Sequence, residues 1–497
     1  MRNDIAARAR DIALTLTSWP SVTGSAGEAA LAPKLASYLS HFDKAWTTPI
    51  PNDPRSNVFA LKRGRSNRTI VLTGHFDVVP VNDYGALESL AFTPERLLPE
   101  IVVRLRRTSE NPLAMADFES GEFLPGRGLL DMKAGLAAGI AAMEAYAGDA
   151  SLLFLGVSDE EERSAGARAA APLLSQIAAE NGLDVALVIN LDAISDQGDG
   201  VLGRSVALGS VGKQLVTAFV VGKEAHACYP EDGANAAYLG AELLTEFERA
   251  PELAETSGSE IAAPPTALHA KDLKTGYNVT TPAQSWLYWN TLQHRRAAAE
   301  VFDISLMLAR RAMARAARKL NRDIPVMSYA ELVARVPHHD VTRIAREVAA
   351  HQGLDLPERA KLVTSGVWQA SGLTGPAVVM GFGSIPYPAV SLSDAKLEDA
   401  IVTACEAHGL GSLRYFPGIS DMSFLGEASG DLSACAENTP IWGTSFTMPD
   451  SAGYPCINIG PWGRDYHHWL ERLHAPYAFD TLPRVLLAVI EAVAKGR

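Results

Sequence analysis

Short, uninterrupted apolar runs alternate along this chain with longer stretches in which small apolar residues recur every three or four positions. The runs Asn57–Leu61, Thr69–Thr73, Leu152–Val157 and Val185–Leu191 are largely apolar and too short for helices. They predict strands, buried on both faces where no polar residue interrupts them. Helical spacing marks 26–42, 134–146 and 165–180. The opening segment predicts a surface helix, ended at Trp19-Pro20-Ser21-Val22-Thr23-Gly24. Strands alternating with helices imply an α/β fold around a parallel or mixed sheet.

The rhythm breaks twice. From Tyr84 to Pro125 the pattern is irregular, with Pro94, Pro99 and Pro112, and 100–107 fits a strand or a helix equally. Near Gly209–Gly212 it changes again: 215–221 predicts a strand, 233–248 a helix, 278–291 one or two strands, and 296–320 a long helix. These imply an inserted α+β domain over 213–325, flanked by the two parts of a catalytic domain, 1–212 and 326–497. Beyond Pro325 the α/β alternation is expected to resume through strands at 377–381 and 456–460, with a closing helix at 483–494.

Composition narrows the class. A 47% hydrophobic and 20% charged chain of 497 residues is an ordinary globular protein, large enough for two or three domains. A formal charge of −13 argues against nucleic acid and gives no support for an anionic membrane surface. No apolar run approaches the ~20 residues of a membrane span. Cys228, Cys405, Cys435 and Cys456 form no CxxC pair, which predicts free thiols and a cytoplasmic setting.

The chemistry sits where strands end. His75 and Asp77 close one strand, Glu160 and Glu161 follow the next, Asp192 follows the third, and Asp131 lies in a glycine-flanked loop. In open α/β sheets the carboxyl ends of strands gather at the ligand site. Each segment alone is ordinary; order, spacing and placement together predict a two-ion site. Imidazole nitrogens and carboxylates suit Zn²⁺, Mn²⁺ or Co²⁺, and the absence of thiolates leaves the choice open. His75 and Asp192 are expected on one ion, Glu161 and a later histidine on the other, and Asp131 between them. Asp77 would orient the His75 ring. Glu160 would be the general acid/base acting on a metal-activated water.

The segments Gly74–Pro80, Gly126–Gly135 and Ser158–Glu161 resemble the metal, bridging-aspartate and base motifs of the M20 family of metallopeptidases and amidohydrolases. That resemblance implies a zinc-peptidase-like catalytic domain with an inserted lid, and a homodimer through the lid. Glu224-Ala225-His226-Ala227 is similar to the family's lid motif, which implies that His226 polarises the scissile carbonyl. Asn278–Pro282 is similar to its asparagine motif. Tyr415–Ser423 resembles a late aspartate loop of an arginine-utilisation branch. Among His467, His468 and His474, the family pattern of a histidine before Ala-Pro and a helix selects His474 as the last ligand. Arg295, Arg414 and Arg464 are candidates for gripping a substrate carboxylate.

The expected function is hydrolysis of amide bonds in small peptides or N-acyl amino acids. The alternatives are an N-carbamoyl or deacylating amidohydrolase, and a non-catalytic binder of the same ligands.

Overall fold

A computed structural model describes residues 2–258, 260–428, 430–450 and 453–495. It comprises two compact units, Met1–Ser210 with Val390–Ala428 and Pro449–Arg497, and Val211–Ala389 with Ser429–Met448.

The first unit is built on an eight-stranded mixed sheet. Its strands run in the order Lys44–Pro49, Ser56–Lys62, Ser151–Val157, Arg68–His75, Asp184–Asn190, Cys456–Asn458, Ser205–Ala207 and Gly411–Leu413. Arg68–His75 is parallel to both neighbours, so the expected strand ends are brought side by side, with His75 opposite Val157 and Thr73 opposite Asn190. Ser151–Val157 is buried throughout, as its unbroken apolar run requires. The helix Ala134–Ala145 is made almost entirely of small residues and lies deep in this core. Gly135 shows why: a Cβ there would stand 2.0 Å from the Leu191 carbonyl oxygen. A second, four-stranded sheet joins Phe123–Pro125, Arg472–His474, Trp462–Arg464 and Ile194–Ser195.

The 84–125 passage is ordered rather than irregular. A 3₁₀ segment Asn82–Leu90 leads to helices Pro94–Thr108 and Pro112–Ser120. Pro94 and Pro112 occupy helix starts, where a missing N–H costs nothing, and Asn111 caps the second through the Ala114 N–H. Leu97, Ile101 and Leu105 recur every four residues and are buried. The open choice at 100–107 therefore resolves as helix.

The second unit carries a five-stranded sheet ordered Thr266–Asp272, Gln284–Gln293, Gly212–Val221, Ala377–Phe382 and Val326–Ser328. Helices Ala236–Phe247 and Ala298–Leu320 share one core with it, around Leu243, Phe247, Trp289 and Leu308. This unit extends past the expected limit at 325. Ala377–Phe382 pairs with Gly212–Val221, with Val216 opposite Phe382, instead of returning to the first sheet. An all-apolar strand has no periodicity to tell which sheet receives it. Among the described residues no helix is long and apolar enough to cross a membrane, and the four cysteines are free.

Candidate metal centre

The turn after Val157 is held in a backbone conformation that few residues adopt: Asp159 and Ser164 have φ of 67° and 49°. A buried network imposes it. Arg55 donates to Asp159 Oδ1 at 2.6 Å and to Glu28, while Glu28 accepts the Asp159 N–H at 2.9 Å. Asp77 then takes the Glu160 and Glu161 N–H groups at 3.2 and 3.3 Å, and the Thr23 hydroxyl at 2.9 Å. Glu160 and Glu161 are thus presented by their backbone, before any side-chain contact.

The expected residues His75, Asp131, Glu160, Glu161 and Asp192 converge. His75 Nδ1 lies 3.0 Å from the Asp77 carbonyl, which assigns the proton to Nδ1 and leaves Nε2 as the ligand atom. His75 Nε2 stands 3.1 Å from Asp131 Oδ1 and 3.9 Å from both Glu160 Oε2 and Asp192 Oδ1. The other Asp131 oxygen, Oδ2, is 3.2 Å from His467 Nε2, which is 3.0 Å from Glu161 Oε2. Asp131 therefore offers one oxygen to each imidazole. A tetrahedral ion with bonds of ~2.0–2.2 Å spaces its ligand atoms by roughly 3.3–3.6 Å. The observed separations bracket that range, so the donor set fits divalent cations; His75, Asp131 and Glu161 present ligand atoms all within 4.8 Å of one another.

Electrostatics point the same way. Burial pushes Glu160 and Asp192 well above the usual carboxylate range, and neighbouring carboxylates push them further. Burial likewise raises Glu161, to which Asp131 adds. Burial alone would also raise Asp131, but His467 and His75 hold it well below its ordinary value. So many acidic groups in one buried place call for positive charge.

His474 is not part of the cluster. It ends a strand paired to Phe123, packs edge-on against that ring, and sits 3.7 Å from Glu122. His467 instead stands beside Asp131 and Glu161. It lies in the turn between Trp462–Arg464 and Arg472–His474, with φ of 62°. The sequence showed only a polar stretch, Asp465–His468, between apolar segments, and the Ala-Pro context of His474 decided the expectation against it. His468 instead accepts the Leu470 N–H within the same turn. Tyr466 escaped the sequence, whereas Asp421 lies in the Tyr415–Ser423 loop singled out there. Tyr466 lines the cavity of about 210 Å³ over the cluster, with Phe416 and Ile419. Asp421 is buried, and desolvation pushes it up to about 7, with Ser164 opposing.

The arginine candidates fare differently. Arg414 is held bidentately by Glu398, at 2.8 and 2.9 Å, and Arg464 is buried against Asp117 at 2.5 Å. Neither lines the cavity over the cluster. Their carboxylate partners are far along the chain or across a turn, invisible to spacing. Arg295, Asn278 and His226 belong to the second unit. Asn278 Oδ1 accepts from the Thr280 N–H and hydroxyl, and His226 Nδ1 accepts the Cys228 N–H at 3.2 Å.

The helices of the 84–125 passage support the His467 turn. Asp117 holds Arg464 on one oxygen and Arg472 on the other, at 2.5 and 2.7 Å, and Arg472 reaches Asp465 at 2.5 Å. Arg472 has no exposed surface and Arg464 almost none. Glu471 meanwhile accepts the Leu130 and Asp131 N–H groups and pairs with Arg127, which grips Asp83. Asp117→Ala would remove the carboxylate that two buried guanidinium groups share, leaving Arg464 without a charged partner among the described residues, and should cost about 3 kcal/mol or more. Denaturant unfolding measures it; a loss within about 0.5 kcal/mol would show the network to be dispensable.

A family model for Peptidase family M20/M25/M40 covers residues 71–436. The chain is 31% identical over 525 aligned positions to the uncharacterized protein YqjN of Bacillus subtilis (strain 168), covering 97% of this chain and 95% of that one. It is 27% identical over 536 positions to protein RocB of the same organism, covering 97% and 94%. Its fold is shared with a tripeptidase from Staphylococcus aureus subsp. aureus mu50, at a TM-score of 0.56, 17% identity and 99% coverage of both chains. With the motif-bearing strand ends inside the matched region and a full-length relative above 30% identity, this chain belongs to Peptidase family M20/M25/M40.

Proposed function

We propose that the protein is a metal-dependent hydrolase of amide bonds in small peptides or N-acyl amino acids. The observation that carries this is Asp131, with one carboxylate oxygen facing His75 and the other facing His467. His75 with Asp192, and His467 with Glu161, would hold two divalent ions, Zn²⁺ before Mn²⁺ or Co²⁺, and Asp131 would bridge them. When bound, such ions polarise a carbonyl and acidify water to a pKa of ~7.

The chain's own residues supply the rest. Glu160 takes the proton from the attacking water and returns it to the leaving nitrogen; burial that raises its proton affinity suits both roles. Asp77 fixes the Glu160 backbone and the His75 ring. His226 is assigned to the carbonyl oxygen and Asn278 to a substrate contact on the strength of the second unit's motifs, while Arg295 is a candidate for the substrate carboxylate by its charge alone. The first unit would then be catalytic and the second a lid that also dimerises. Free thiols agree with a cytoplasmic setting.

Ion binding should release protons. Burial alone would lower the His467 pKa, but hydrogen bonds to Asp131 and Glu161 push it up to about 11. A ligand imidazole must be neutral, so apparent affinity should rise with pH. Calorimetry in buffers of different ionisation enthalpy counts the protons; an affinity flat between about pH 6 and 8 would count against His467 as a ligand.

The test of function is a screen, with Zn²⁺, Mn²⁺ or Co²⁺ supplied, of dipeptides and tripeptides against N-acyl and N-carbamoyl amino acids. Turnover of the first two or the N-acyl set supports the proposal. Turnover confined to N-carbamoyl substrates selects the rival amidohydrolase, and none with any metal rejects hydrolysis.

A further inference from the structure

His474, left out of the cluster, lines a separate cavity of about 310 Å³ together with Arg204, His408, Tyr477 and Thr481. That volume lies in the range of small-molecule sites. None of its ten lining residues is acidic, in a chain where 57 acidic residues outnumber 44 basic ones. It shares no residue with the cavity over the cluster.

Its walls hold hydrogen-bond donors, one of which lacks an acceptor. Tyr477 is 3% exposed, yet its phenol oxygen has no hydrogen-bond partner among the described residues; a buried hydroxyl left so is costly. The Arg204 guanidinium lies 5.1 Å from the centre of the Trp462 ring and gives one N–H to the Asp199 carbonyl at 3.3 Å. A guanidinium has five N–H donors, which leaves Arg204 with others to give. His474 Nδ1 accepts the Tyr477 backbone N–H at 3.3 Å, so the neutral ring carries its proton on Nε2. These groups are mutually close. The Arg204 charge opposes the burial that raises the Tyr477 phenol, and adds to the burial that lowers His474. One carboxylate approaches: Glu122 stands 3.7 Å from His474 Nε2, on a side chain 59% exposed.

Guanidinium, phenol and imidazole N–H together match an acceptor with several lone pairs and negative charge. We propose that this cavity binds a small oxyanion, a carboxylate- or phosphate-bearing metabolite, on Arg204, Tyr477 and His474. Val201, Leu410 and Pro476 offer apolar wall to the remainder of such a molecule.

Calorimetric titration of the metal-loaded wild type with sodium phosphate, and separately with sodium succinate, tests this. Binding of either is expected, and the stronger probe identifies the headgroup. Arg204→Met should weaken it by about tenfold or more. Tyr477→Phe, which keeps the ring and so the packing, should weaken it less. Glu122→Gln removes the opposing charge and should strengthen it. His467→Ala should leave it unchanged. The proposal is overturned by no binding of either probe, by equal affinity in Arg204→Met, or by loss in His467→Ala, which would place the anion on the metal centre.

Discussion

Glu160→Gln should bind its full complement of metal and lose turnover by a factor of about 10²–10⁴. Glutamine keeps the shape and polarity of the side chain but cannot shuttle a proton. The position is prepared for this role: its N–H is fixed by Asp77, and burial holds its carboxyl well above the ordinary range. Its nearest imidazole contact, His75 Nε2 at 3.9 Å, is no shorter than that of Asp192. Metal analysis therefore has to accompany kinetics. Lost turnover with lost metal would recast Glu160 as a ligand, and unimpaired turnover would remove it from the mechanism.

His467→Ala should weaken one of two metal sites by more than about 100-fold, the upper range for losing even a hydrogen-bonded neighbour of a ligand. His474→Ala should leave both sites intact. The contrast follows from distances: His467 Nε2 is within 3.2 Å of carboxylate oxygens of Asp131 and Glu161, while His474 faces Glu122 at 3.7 Å. Metal content after dialysis at defined free zinc decides between them. Two ions retained by His467→Ala and one by His474→Ala would restore the assignment that the Ala-Pro context suggests.

Much of the first unit was legible because buried parallel strands announce themselves. Ser151–Val157 and Asp184–Asn190 fall within a residue or two of the apolar runs that predict them. Residues that follow such strands are carried to one edge of the sheet by topology alone, which is why His75, Glu160, Glu161 and Asp192 could be grouped in advance. The passage from Tyr84 to Pro125 was less legible, since its prolines start helices as readily as they break them.

Local pattern along the chain was enough to place the strand ends, the chemistry they carry and the family to which they point. Long-range packing settled which late histidine lies beside Asp131 and Glu161, where Ala377–Phe382 pairs, and what the 84–125 helices do. Each of these is a choice among partners distant in the chain. Asp117 meets Arg464 and Arg472 across some three hundred and fifty residues, and no local period encodes such a meeting. His474 has the more suggestive sequence context, but it is anchored to Phe123 by strand pairing. His467 reaches Asp131 and Glu161 because a turn, held from beneath by buried charge, directs it there.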